Sequence, residues 1–371
     1  MRRSPLRPVL RQVVLSWFAG RVVALSALAL AGFLVQQLRT TAHVGLLHTG
    51  LLGWDASFYR VIAQSGYGRS PSERPRFFPL TSLLARVVAV PLGGHTGLAL
   101  LLVVNAAALG AALVLARLVL HEGWGQAAAV RSAWLLALAP SSFVLVMGYA
   151  EAVSMLLGAA AFLALRRRQW WLAAGLGLLT GLTRPTGLFL AGAAAVEAVR
   201  DLRSCPGVER LARGAAVLGA PVGTGLYLAW NGLRYGDPLL PYTIQTMGRL
   251  RGGLLTNPLQ ELPQDVRDAL HGQHFGTALH LPWVLLMLAL LIVMARRMPA
   301  SYVVLAGLTL VAAVSAKHLN SVERYAVGAF PFLLVVAVVV TREATFRLLL
   351  AASSAAMLGY ALLAFLLLYV P

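Results

Sequence analysis

One cysteine, Cys205, and one lysine, Lys317, are all that the 371 residues contain of either type. A lone cysteine excludes an intramolecular disulfide and any cysteine metal cage. Acidic side chains are scarce as well: thirteen Asp and Glu stand against thirty-one Lys and Arg, and charged residues make up only 12% of the chain. A water-soluble domain of this size needs a far larger charged surface. Also missing are internal repeats, low-complexity tails, a glycine loop that would cradle phosphates and a Ser/His/Asp signature. The histidines lack the paired helical spacing of a metalloprotease.

Apolar length is what the chain has in quantity. Hydrophobic residues are 59% of the total, and mean hydropathy is +0.76. They come in Leu- and Ala-rich blocks long enough to cross a hydrocarbon core, which takes about 20 helical residues. No strict alternation runs through them, so helices are expected and an outer-membrane barrel is not. The fold class is therefore an all-α polytopic membrane protein. Net charge is +18, but the arginines are dispersed between apolar spans instead of forming one basic face. No nucleic-acid partner is expected; anchoring to anionic membrane lipids accounts for the charge.

Spans are expected near 13–38, 96–119, 132–148, 151–165, 170–183, 185–199, 213–230, 281–295, 300–316, 325–341 and 346–369. The first follows Arg2, Arg3, Arg7 and Arg11, as a signal peptide would, but it is too long for one and is read as a transmembrane helix. The segment 79–93, broken by Pro79, Pro91 and Gly93-Gly94, is read as interfacial or re-entrant. The short spans 170–183 and 185–199, parted by Thr183-Arg184-Pro185, suggest a broken hairpin. Arg166-Arg167-Arg168, Arg200, Arg203, Arg210, Arg213, Arg296-Arg297, Arg342 and Arg347 fall on one side with the basic N-terminus, which makes that side cytoplasmic. The two long loops, about 39–78 and 231–280, are then extracytoplasmic, within a single domain over 1–371.

Function is expected where polar groups gather at that outer face. Trp54, Phe58, Tyr59 and Ile62 share one face of an expected amphipathic helix on the membrane surface, with Asp55 at its start. Asp55 is placed either to act as a general base or to cap the helix. Arg76, beside Phe77 and Phe78, is either a lipid-phosphate ligand or an interfacial anchor. Arg184, at a helix break before Pro185, either binds phosphate or snorkels to the headgroups. Glu151 either orients an acceptor hydroxyl or serves the dipole of the helix it opens. Lys317, His318 and Arg324 are candidates to neutralise a phosphate; the alternative is an ordinary polar loop whose ion pair involves Glu323. Tyr235-Gly236-Asp237-Pro238 reads as a turn.

The run WDASFYRVIAQSGY, followed by FFPLTSLLAR, resembles the signature of PIG-V-like mannosyltransferases, the GPI mannosyltransferase II family and its bacterial relatives. GYAEAVSMLLGAAAFLALRRRQWWLAAGLGLLTGLTRPTGLFL, NGLRYGDPLLPY and ERYAVGAFPFLLVVA resemble that family in the same order. The resemblance implies a GT-C glycosyltransferase fold of about eleven transmembrane helices, with interfacial helices in the first outer loop. It implies a lipid-phosphate sugar donor, polyprenyl-phosphate mannose, and a glycolipid or glycan acceptor. Asp55 matches the position of the catalytic acid. Arg184, and after it Arg76 and Arg324, would hold the donor phosphate; Trp54, Tyr59, Glu151 and His318 would line the substrate site. Ala56 replaces the usual glycine or acid beside the catalytic Asp, Phe58 stands where Trp is common, and Thr-Ser follows FFPL where Tyr-Pro is often seen. No second acid adjoins Asp55, so no metal or other cofactor is expected. Two alternatives stay open: a GT-C transferase for another lipid-linked sugar or a protein acceptor, and a non-catalytic lipid or glycan transporter. A transporter places its polar residues at mid-membrane, often with repeat symmetry.

Overall fold

The computed structural model describes residues 6–38, 49–69, 72–245, 275–315 and 321–370, together with positions 247, 257, 263, 266, 267 and 319. Among these residues every regular element is helical and no strand occurs. The helices are α1 Leu6–Leu38, α2 Asp55–Ser65, α3 Pro79–Ala89, α4 Thr96–His121, α5 Gln126–Leu138, α6 Glu151–Arg166, α7 Trp170–Gly181 and α8 Leu190–Val199, followed by α9 Gly207–Tyr235, α10 Leu240–Gln245, α11 Phe275–Arg297, α12 Ala300–Val314, α13 Val322–Gly328, α14 Phe330–Val339 and α15 Glu343–Phe365. Among the described residues four helical stretches are long and apolar enough to cross a membrane: Arg7–Gln37, Thr96–His121, His280–Arg297 and Glu343–Phe365. α13 and α14 together pass the same test as a pair bent by 70°. The chain is an all-helical polytopic membrane protein. By length and composition four or five helices among the described residues qualify as spans, and Pro79–Leu92, Trp170–Gly181, Pro185–Val199 and Ala300–Val314 are shorter apolar helical stretches.

The boundaries that moved have local causes. The span expected at 132–148 is instead a helix from Gln126 to Leu138 that stops before Pro140, since the residue preceding proline avoids the α region. It also begins earlier and includes Arg131, which is buried and donates from Nε to the Ala337 carbonyl at 2.8 Å. The span expected at 325–341 breaks at Ala329 (φ −88°, ψ 86°), where Pro331 has no N–H to give the Val327 carbonyl. The 185–199 segment opens as a tight 3-10 turn, Pro185–Phe189, before α8 begins.

The residues fall into two compact units, one of 1–64, 81–159 and 333–371, the other of 65–80 and 160–332. In the first unit α1 packs on α4, α5 and α15. A Cβ on Gly20 would lie 2.6 Å from the Ala137 carbonyl oxygen, so glycine sets the α1–α5 approach. Arg21 of α1 is satisfied inside the unit, donating to Asn105 Oδ1 at 2.9 Å and to the Leu145 carbonyl at 3.2 Å.

The second unit is organised by α7 and α9. Each carries two glycines four apart, Gly177 and Gly181 on α7 and Gly219 and Gly223 on α9. Gly181 lies against the Ala220 carbonyl, Gly219 against that of Ala174, and Gly223 against that of Leu178, each with no room for a Cβ. Small residues at this spacing let two backbones touch, which is how helices associate where hydrophobic burial offers no gain.

Candidate functional site

The carboxylates lie in the first unit. A 3-10 turn, Gly50–Leu52, leads into Gly53 and Trp54, and Asp55 is the first residue of α2. Trp54 sits in the left-handed region at φ 55°, a conformation that costs a bulky residue about 1–2 kcal/mol. Its indole Nε1 donates to the Ala364 carbonyl of α15 at 3.0 Å, while the Trp54 carbonyl accepts from the Ser57 hydroxyl at 2.7 Å. The strained residue is thus held from both sides, and it fixes where Asp55 begins the helix.

α2 is anchored at its other end by α3. Arg86 donates from Nε to the Ala63 carbonyl at 2.7 Å and from Nη2 to that of Ile62 at 3.1 Å, and the Ser82 hydroxyl donates to the Tyr59 carbonyl at 3.0 Å. An arginine on the last carbonyls of a helix satisfies acceptors that have no partner within it. The buried face of α2 is Ala56, Tyr59, Ile62 and Ala63. Tyr59 and Ile62 lie on this buried face, whereas Trp54 and Phe58, expected to share a face with them, are only half-buried. The two alanines explain the rotation, because small side chains permit close packing on this side.

Glu151 is brought to the same neighbourhood. The Gly148 N–H donates to the Leu51 carbonyl at 3.0 Å, and a Cβ on Gly148 would lie 3.1 Å from the Ala56 Cβ. The glycine lets the Tyr149–Glu151 entry to α6 lie against the first turn of α2. Glu151 is buried, 4% exposed. Arg60, which the sequence pattern does not single out, has its Nε buried with no hydrogen-bond partner; its one signal is being the other charged residue of α2. We expect Trp54→Phe, which deletes the indole donor but keeps the ring, to lower kcat for the activity proposed below roughly tenfold with little change in KM. The scale is that of about 1.4 kcal/mol, one neutral hydrogen bond. Steady-state kinetics on both proteins is the check, and an unchanged kcat would show that the bond does not position Asp55.

The arginines lie in the second unit. Arg184 is extended (φ −159°, ψ 156°) between α7 and the Pro185–Phe189 turn, the conformation that a following proline imposes. The turn closes tightly because Gly187 lies directly against the Thr180 carbonyl. The Leu80 N–H donates to the Leu182 carbonyl at 3.1 Å, so the Phe77-Phe78-Pro79 element lies beside this break. The Arg184 guanidinium reaches α13, where a Cβ on Gly328 would stand 3.9 Å from Nη1. Arg324 belongs to that same short helix.

Arg76 lies over the Phe77 ring at 4.5 Å and 3.9 Å from Glu73. Its turn is braced by Tyr227, whose hydroxyl donates to the Pro75 carbonyl at 2.8 Å, and by Tyr67, which donates to that of Phe77 at 2.7 Å. Glu323 is fully buried and pairs with His280 of α11 at 2.6 Å between Nδ1 and Oε1. That partner lies 43 residues earlier in the chain, and neither its spacing nor its composition signals it. His318 and Lys317 lie outside the described residues. Gly236 ends α9 at φ 79° and the Leu239 N–H donates to Asp237 Oδ1 at 2.8 Å, the turn expected at that position. Among the described residues no three His, Cys, Asp or Glu gather as metal ligands.

No family model matches the sequence, and no curated protein matches it. Among solved structures, the chain is similar to the oligosaccharyltransferase AglB of Archaeoglobus fulgidus in complex with an inhibitory peptide and a dolichol-phosphate. There the identity is 14%, the TM-score is 0.44, and the match covers 92% of this chain and 56% of that one. The apo oligosaccharyltransferase of the same organism gives 15% identity, a TM-score of 0.43, and 92% and 54% coverage. The chain thus spans about half the length of these structures, and overlap of this extent assigns neither a family nor an activity.

Proposed function

We propose that this chain is a membrane glycosyltransferase that moves mannose from polyprenyl-phosphate mannose to a hydroxyl of a lipid-linked glycan, with inversion, on the extracytoplasmic face. The observation that carries the reading is the placement of Asp55. It is a carboxylate at a helix start, set by a strained tryptophan, in the run that resembles a lipid-dependent mannosyltransferase signature.

In the proposed step the acceptor hydroxyl gives its proton to Asp55 while its oxygen attacks the anomeric carbon. The bond from that carbon to the phosphate oxygen breaks, and the electron pair leaves with the lipid phosphate. By the family resemblance, Arg184, with Arg324 and Arg76, would offset the charge that develops on the departing group. Glu151 orients the acceptor.

Arg184→Gln is expected to lower kcat about 100-fold, the scale of one charge-stabilising donor, and Arg184→Lys to restore part of it. The measurement is transfer from the same donor at saturation. Full activity in Arg184→Gln would take Arg184 out of the mechanism. Transfer as a whole is tested with purified protein in lipid, given polyprenyl-phosphate mannose and a membrane glycolipid extract.

A further inference from the structure

At the Trp170 end of α7 the second unit holds an open cavity of about 480 Å³, lined by Arg166, Arg168, Arg200 and Arg213 with Glu197 and Asp201. α7 is 12 residues long, about 18 Å at the helical rise, and Arg184 lies past its other end. The cavity is therefore separate from the arginines assigned to the donor, and its chemistry does not depend on the glycosyltransferase reading.

The cavity has a fixed floor and an exposed mouth. Arg213, 1% exposed, donates to the Ala198 carbonyl at 2.8 Å, to the Arg200 carbonyl and through Nη2 to Glu209 at 2.7 Å, with its guanidinium 4.8 Å from the Trp170 ring centre. Glu197, 6% exposed, accepts from Arg166 at 2.8 Å, Arg200 at 3.1 Å and Ser301 at 2.5 Å. At the mouth, the Arg168 and Arg200 side chains are 62% and 55% exposed. Arg168 spends Nη2 on Asp201 at 3.1 Å, and Arg200 spends Nη1 on Glu197. Both residues line the open volume, and each guanidinium has further N–H donors beyond the one it spends.

Charge and backbone agree with this. Four lining arginines meet two lining carboxylates, a surplus of two positive charges, which Glu209 behind Arg213 reduces to one. Arg167 and Arg210 are exposed on the adjoining turns. Arg168 and Asp201 both hold the left-handed conformation, at φ 57° and 54°, so the pair across the mouth is kept at a local cost of about 1 kcal/mol each. A network serving only to tie helix ends together would neutralise itself and close; this one is open and cationic.

We propose that this cavity binds a phosphate-bearing anion, gripped by the outward N–H groups of Arg168 and Arg200 above the Arg213 floor. Guanidinium forks match phosphate oxygens in pairs. The volume, within the range of small-molecule sites, also accommodates the ester substituents of a phosphate. A lipid headgroup and a free phosphate share this chemistry, and the test separates them.

Purified protein is titrated with inorganic phosphate in a neutral detergent, and separately placed in phosphatidylcholine nanodiscs with and without phosphatidylglycerol, with Tm followed in each case. Stabilisation by inorganic phosphate marks a free anion; stabilisation by phosphatidylglycerol alone marks a headgroup. Either supports the site if Arg168→Gln/Arg200→Gln weakens the response at least tenfold in ligand concentration while Arg347→Gln, an exposed arginine of α15, does not. If the double Gln variant fails to fold, Arg168→Lys/Arg200→Lys is read the same way, since it keeps the charge but loses the fork. The proposal is overturned if neither probe raises Tm, if the double variant responds as wild type, or if Arg347→Gln weakens the response equally.

Discussion

Asp55→Asn is expected to reduce mannose transfer about 1,000-fold, within the range that general-base catalysis supplies, and to leave the fold intact. The exchange is nearly isosteric, and the weaker interaction of a neutral group with the α2 dipole costs about 0.5 kcal/mol. Tm and kcat therefore separate the two roles open to this residue. A helix-start carboxylate with no catalytic part loses a little Tm and no kcat; a base loses kcat at nearly constant Tm. Equal transfer by both proteins would remove Asp55 from the mechanism. Wild-type protein that transfers no lipid-linked sugar at all would bring the transporter reading forward.

The largest structural effect is expected at Gly223. An added Cβ there meets the Leu178 carbonyl, and backbone does not yield as a side-chain tip does, so α7 and α9 must part. Gly223→Ala should cost about 2–3 kcal/mol, the scale of overpacking, and lower the Tm of the detergent-solubilised protein by several degrees. Gly225, two residues on in the same helix, has nothing within 4 Å of the same position. Gly225→Ala should be neutral or stabilising by up to about 1 kcal/mol, from helix propensity alone. Equal Tm values for the two variants would refute the close α7–α9 contact. Because Arg184 follows the last turn of α7, Gly223→Ala should also reduce transfer, where Gly225→Ala should not.

Those two glycines show what a linear reading misses. Both sit in one small-residue stretch, and only the partner helix tells them apart. Trp54 was legible as an aromatic beside Asp55, but not as a strained residue tied to Ala364, 310 positions away. The pairing of Glu323 with His280 was hidden for a related reason: two buried groups that satisfy each other need no particular spacing. By contrast, the breaks at Pro140 and Pro331 were written in the chain and underweighted beside the apolar runs that contain them.

By itself the sequence determined that this is a helical membrane protein, because apolar block length and scarce charge leave the backbone no other way to satisfy its hydrogen bonds in lipid. It also singled out Asp55, Glu151 and Arg184, because ionisable residues at the ends of apolar helices are few. Only the tertiary structure decided which glycines bear on carbonyls, that the entry to Glu151 lies against the first turn of α2, and that four arginines from three stretches of the chain line one cavity. Those facts rest on close approach between segments far apart in the chain, and close approach is a property of packing, which no local pattern encodes.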